Sequence, residues 1–93
     1  MPMPAPGEKV FVPAKVEAGA FSGERLVTVH TQSGPVSGFA KSDFIMQDRD
    51  GHYLLAEVKN VTEHGLMVFL FGSFFTTTGL ANLAKSTQVK MAG

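Results

Sequence analysis

Hydrophobic and polar positions alternate along most of this chain. From Glu8 to Glu17, Val10, Val12, Ala14 and Val16 alternate with Phe11, Pro13, Lys15 and Glu17, the period of two of a half-buried strand. Pro13 has no N–H for a ladder, so the strand lies at an edge or turns that side of its backbone away from a partner. Arg25 to Thr31 alternates again, with Leu26, Thr28 and His30 on one face and Val27, Val29 and Thr31 on the other. Val36 to Ala40 predicts a third strand and Phe44 to Gln47 a short fourth. Across Tyr53 to Val61, Leu54, Ala56 and Val58 are expected inward, and Tyr53, Leu55, Glu57 and Lys59 outward.

Glycine, proline and small polar residues punctuate these runs. Ala18 to Glu24 holds two glycines and reads as a loop. Ser33-Gly34-Pro35 is a turn by residue type, because Gly supplies positive φ and Pro fixes φ near −65°. Asp48-Arg49-Asp50-Gly51 predicts a hairpin, with its Asp-Gly pair favouring a type I′ turn. Thr62-Glu63-His64-Gly65 closes another.

The most apolar strand is expected over Leu66 to Phe75, and both of its faces are greasy. Leu66, Val68 and Leu70 lie on one side and Met67, Phe69 and Phe71 on the other. Thr78 then reads as the N-cap of a short helix or 3-10 turn through Leu80, Leu83 and Ala84, and Thr87 to Met91 as a last strand. Residues 1–7, with prolines alternating, form a disordered Pro-rich arm, which leaves 8–93 as a single domain. No internal repeat is apparent.

Short strands spaced by about ten residues point to an all-β barrel or sandwich. The whole resembles a small SH3-like barrel of five to six antiparallel strands, with one short helix or 3-10 turn before the last strand. The place of that turn favours the SH3-like plan over an OB-fold, whose helix usually sits between the third and fourth strands. The stretch Ala14 to Val27, AKVEAGAFSGERLV, is similar to small uncharacterised bacterial barrel proteins, a likeness that implies no activity. The aromatic platform of eukaryotic SH3 domains is missing, with Tyr53 the only tyrosine and no Trp, so recognition of Pro-x-x-Pro peptides is not implied.

Composition sharpens this picture. Of 93 residues, 44% are hydrophobic and 17% charged, below the roughly 25% charged of ordinary soluble domains. No Cys is present, so neither disulfides nor thiolate metal sites support the core. The eight acids and eight bases cancel; binding to nucleic acid or to an anionic membrane surface draws on a basic excess, so both partners are disfavoured. The deficit of charge is local. Residues 64–84 carry no charge yet hold half of the eight phenylalanines. That stretch approaches the length of about 20 residues that spans a bilayer, but Gly72, Ser73, Thr76, Thr77, Thr78, Gly79 and Asn82 interrupt it, so a buried strand is expected. The start of the chain lacks the basic and apolar regions of a secretory signal, which makes the cytoplasm the expected location.

No constellation of residues demands a cofactor or a metal. Asp48-x-Asp50-Gly51 resembles the start of a calcium loop, yet an EF-hand would need Glu where Lys59 stands. His30, His52 and His64 lack the short spacing that makes a metal site legible. There is no Gly-x-Ser-x-Gly elbow, the glycines at 19 and 23 do not lead into a helix as a phosphate loop requires, and Asn60-Val61-Thr62 matches a glycosylation sequon without a signal peptide. A pocket near Phe21, His30 and Phe39, with Asp43 or Glu57 adding polarity, is the ligand-binding or catalytic alternative; a weak nucleic-acid groove is another. The interior of a small barrel admits one face of each strand. The second greasy face, with Met67, Phe69, Phe71, Phe74 and Phe75, is therefore the expected interface. It points to a non-enzymatic module that binds itself, as a homo-oligomer, or another protein.

Overall fold

The computed structural model describes residues 4–18 and 23–92. Among these residues eight strands occur in chain order: β1 Lys9–Ala18, β2 Glu24–Thr31, β3 Gly34–Lys41, β4 Ile45–Asp48, β5 Gly51–Thr62, β6 Gly65–Leu70, β7 Leu80–Ala84 and β8 Lys90–Met91. One 3-10 turn, Ser42–Phe44, precedes β4. The fold is all-β. Its strands pair antiparallel in the order β3-β2-β1-β5-β6-β7, with β4 added to β5 and β8 to β1, and the sheet curls into a half-barrel. Phe39 and Ser73 exchange backbone hydrogen bonds of 2.9 and 2.8 Å, and Gln32 N–H donates to Asn82 O at 2.8 Å. These bonds tie the β2–β3 hairpin to the far end of the curl.

Three hairpins share one construction. In Thr31-Gln32-Ser33-Gly34, Asp48-Arg49-Asp50-Gly51 and Thr62-Glu63-His64-Gly65 the first and fourth residues are partners, and the fourth is a glycine with φ of 109, 133 or 149°. The first side chain secures the turn. Thr31 Oγ1 accepts from Ser33 N–H at 3.1 Å, Asp48 Oδ1 from Arg49 N–H at 2.7 Å and Thr62 Oγ1 from His64 N–H at 3.2 Å. Among the described residues only Phe74 has positive φ without being glycine. The 48–51 turn is thus not the expected type I′, which needs positive φ at both central residues. Its central pair is Arg49-Asp50, and an Asp or Thr at the first position with Gly at the fourth is type I chemistry. The first hairpin also turns one residue earlier than Ser33-Gly34-Pro35 suggests, which puts Pro35 inside β3 opposite His30.

β1 serves both halves of the curl. Lys9–Ala14 pairs with β5 and Lys15–Ala18 with β2. Glu8 O accepts from Val58 N–H on the β5 side, whereas Lys9 O accepts from Ala92 N–H on the opposite side. By alternation Pro13 points the same way as Lys9, into the gap between β8 and β2, where no ladder asks for its missing N–H. The inward residues are those the alternation selects: Val10, Val12, Val27, Val29, Leu54, Ala56, Val58, Val68, Leu70 and Leu83 are fully buried.

The C-terminal third departs from expectation. β6 ends at Leu70, because the chain turns through Gly72 to bridge Phe39. Leu80–Ala84 is a strand, not a helical turn. It pairs with β6 from Gly65↔Ala84 to Phe69↔Leu80 and buries Ala81 and Leu83 with a period of two. Thr78 Oγ1 does accept a backbone N–H, that of Leu80 at 3.2 Å, but this bond closes a local turn and starts no helix. The helical turn lies instead between β3 and β4, so its position does not favour the SH3-like plan. The final strand shrinks to Lys90–Met91. Of the N-terminal arm, Met1 to Met3 lie outside the described residues. Pro4 is buried, Ala5 N–H donates to Glu8 Oε1 at 2.7 Å, and Gly7 N–H donates to Val58 O at 2.8 Å.

Candidate interaction face

β6 divides its side chains between two environments. Leu66, Val68 and Leu70 enter the core. Met67, opposite Asn60 and Asn82, and Phe69, opposite Glu57 and Leu80, face out. Phe69 leans on the chain that follows: a Cβ built on Gly79, whose φ is 78°, would lie 2.6 Å from the ring's Cε2. Even so, Phe69 is 36% exposed. Phe71 is half-buried and meets Phe69 and Phe44 edge-on, at centroid distances of 6.0 and 5.4 Å, the geometry that aligns ring edge and ring face favourably.

Phe74 and Phe75 go opposite ways. Phe75 is 7% exposed and rests on backbone kept bare by glycine. A Cβ on Gly38 would come within 2.8 Å of its Cγ, and one on Gly72 within 2.7 Å of its Cε2. Phe74 is 81% exposed, has φ of 69°, and touches Phe39 edge-on at 6.3 Å. A bulky residue in the left-handed region is strained, and here the strain holds an aromatic ring in solvent. Of the five expected interface residues, Met67, Phe69, Phe71 and Phe74 lie at least partly on the outside and Phe75 belongs to the core. Glu57 supplies a polar border. Lys59 Nζ donates to it at 2.8 Å, and that hydrogen bond holds its carboxyl below the ordinary range.

Of the expected ligand pocket, His30 and Phe39 are among the described residues. Phe21 lies outside the described residues. His30 and Phe39 share the outer face of the β2–β3 hairpin, separated by the pair Thr28–Ser37, whose hydroxyls are 2.8 Å apart. His30 is exposed and Phe39 half-buried. His52 lies opposite Ala14 and Gln47, His64 sits 3.5 Å from Glu63 in a turn, and Asp43 is exposed in the 3-10 turn. Among the described residues no three His, Cys, Asp or Glu side chains group as metal ligands, and no helix is long and apolar enough to cross a membrane.

A second cluster escaped the sequence. Lys90 pairs with Asp48 and with Asp50, the latter at 3.3 Å, and its Nζ lies 4.7 Å from the centroid of the Tyr53 ring. Tyr53 OH donates to Asp50 Oδ2 at 2.8 Å. The hydrogen bond from Lys90, then that from Arg49 N–H, lowers the pKa of Asp48; the Tyr53 hydroxyl does the same for Asp50. The bonds to Asp48 and Asp50 raise Lys90, and that to Asp50 raises Tyr53. Beside the cluster runs a groove of about 590 Å³, with Pro4, Tyr53, Leu66, Ala84 and Val89 among its walls. Lys90 stands 42 residues from Asp48 and 40 from Asp50, so no local pattern announces the cluster. No family model, curated protein or solved structure matches the chain, and its functional reading rests on this geometry.

Proposed function

We propose that this chain is a non-enzymatic small barrel that binds protein, either a second copy of itself or another chain, through the outer aromatic face around Phe69, Phe71 and Phe74. The observation that carries the reading is Phe74: a phenylalanine 81% exposed on a backbone at φ of 69°. A solvent-facing position gains nothing from an aromatic ring held at a conformational cost, whereas a ring buried by a partner contributes strongly to binding. Phe69 and the edge-on Phe44–Phe71 pair add apolar surface nearby.

The antiparallel curl supports the SH3-like plan within this proposal; the count of eight strands, against the five to six expected, and the position of the helical turn do not. A cytoplasmic setting belongs to the same proposal. The small-ligand alternative draws support from the groove beside Tyr53, which lies within the size range of ligand sites and whose walls include neither His30 nor Phe39. Sedimentation velocity over a wide concentration range, with Phe74→Ser alongside the native chain, tests the main reading. Association that weakens in the variant supports it; a native monomer that also captures no partner through this face overturns it.

A further inference from the structure

The segment after β7 returns to β1, which it pairs as β8. It leaves through a turn in which Thr87 N–H donates to Ala84 O at 3.0 Å. It ends with Lys90 and Met91 opposite Phe11 and Val10 and with Ala92 N–H donating to Lys9 O at 3.1 Å. Little packing fastens it. Val89 alone in this segment packs against the core cluster, Met91 is 47% exposed, and the groove of about 590 Å³ runs along Thr87 to Lys90.

Its main side-chain fastening is Lys90. Among the described residues, the charged or titratable groups that meet Lys90 are Asp48 from β4, Asp50 from the turn and Tyr53 from β5. β1 places only the uncharged Phe11 opposite it. The lysine and the two aspartates are 37, 40 and 58% exposed, and ion pairs so open to water are individually weak and screened by salt. A two-residue strand, one packed valine and an exposed lysine catch describe a unit less stable than the sheet it lies on.

We propose that Lys85–Ala92 is a strap that opens and closes over the Tyr53 groove while the rest of the sheet stays folded, with Lys90 as its catch. Closed, it covers Tyr53, which is only 5% exposed, and pairs the β1 edge at Val10 and Phe11. Open, it bares the groove wall and leaves Lys9 O without Ala92 N–H. The catch answers to pH. Protonation of Asp48 and Asp50, whose carboxyls are held below the ordinary range, removes it from the acid side. This inference is independent of the aromatic face.

The test is native-state amide exchange followed by NMR, on the native chain and on Lys90→Met, which keeps the apolar stem and removes the charge. In the native chain Ala92 N–H should exchange about tenfold or more faster than the amide of Val68, in the middle of the sheet. In Lys90→Met it should accelerate several-fold further while Val68 changes little. Tyr53, the only tyrosine in a chain without Trp, gives a second readout. As the carboxylates protonate, its emission should change before the far-ultraviolet circular dichroism does. Ala92 and Val68 exchanging at one common rate in both proteins, or Tyr53 emission and circular dichroism changing together, would overturn the proposal.

Discussion

Phe75 rests on the bare backbone of Gly38, so closely that a Cβ there would lie 2.8 Å from the ring's Cγ and from Phe75 N. This contact lies beside the Phe39–Ser73 bridge, where β3 meets the chain beyond β6. Gly38→Ala should therefore lower stability by about 1–3 kcal/mol, the cost of overpacking against a ring and a backbone that cannot retreat. Chemical denaturation compared with the native chain reads the effect.

Adjacent phenylalanines should behave in opposite ways. Phe75→Ala removes a buried ring and should cost about 3–5 kcal/mol. Phe74→Gly removes an exposed ring and relieves the left-handed backbone, so it should leave the fold unchanged or stabilise it by up to about 1 kcal/mol. The same denaturation series measures both.

The hairpin glycines should rank by their surroundings. Gly51 has φ of 133° and open space around it, while a Cβ on Gly65, at φ of 149°, would lie 3.0 Å from the carbonyl carbon of Leu83. Gly51→Ala should cost about 1–2 kcal/mol from backbone conformation alone. Gly65→Ala should cost more, because it also pushes β7 away from β6, and thermal midpoints should order the two variants accordingly.

Stability of the Lys90 cluster should fall at both ends of the pH scale. Asp48 and Asp50 titrate below their ordinary value in the folded chain. Their contribution is complete above about pH 4, the unfolded value, and is lost as pH falls through the folded value. Lys90 and Tyr53 titrate above theirs, so their contribution is complete below about pH 10 and is lost as pH rises further. Removing the lysine with Lys90→Met should flatten the acid limb, and melting curves across pH with and without the substitution check this.

Much of the sheet was legible because alternation states which face is buried. Val10, Val12, Val27, Val29, Leu54, Val58, Val68 and Leu70 all lie where the period of two puts them. The strand at 80–84 is not legible locally, because Leu80, Leu83 and Ala84 also satisfy helical spacing, and pairing with β6 decides the matter. The two fates of Phe74 and Phe75 were hidden because they depend on Gly38, a residue of another strand. Lys90 and Asp48 are 42 residues apart, and only the fold brings them together. The shared hairpin construction was present in TQSG, DRDG and TEHG; the signal was the Gly at the fourth position, not the Asp-Gly pair.

The most direct measurement of the central claim is sedimentation velocity of the native chain and of Phe74→Ser from micromolar to millimolar concentration, with any partner chain that co-purifies included in the run. The proposal expects association that depends on concentration or partner and is lost in Phe74→Ser while the variant keeps its β circular dichroism. A native chain that stays monomeric and partner-free throughout, or a folded Phe74→Ser that associates as strongly as the native chain, would contradict it.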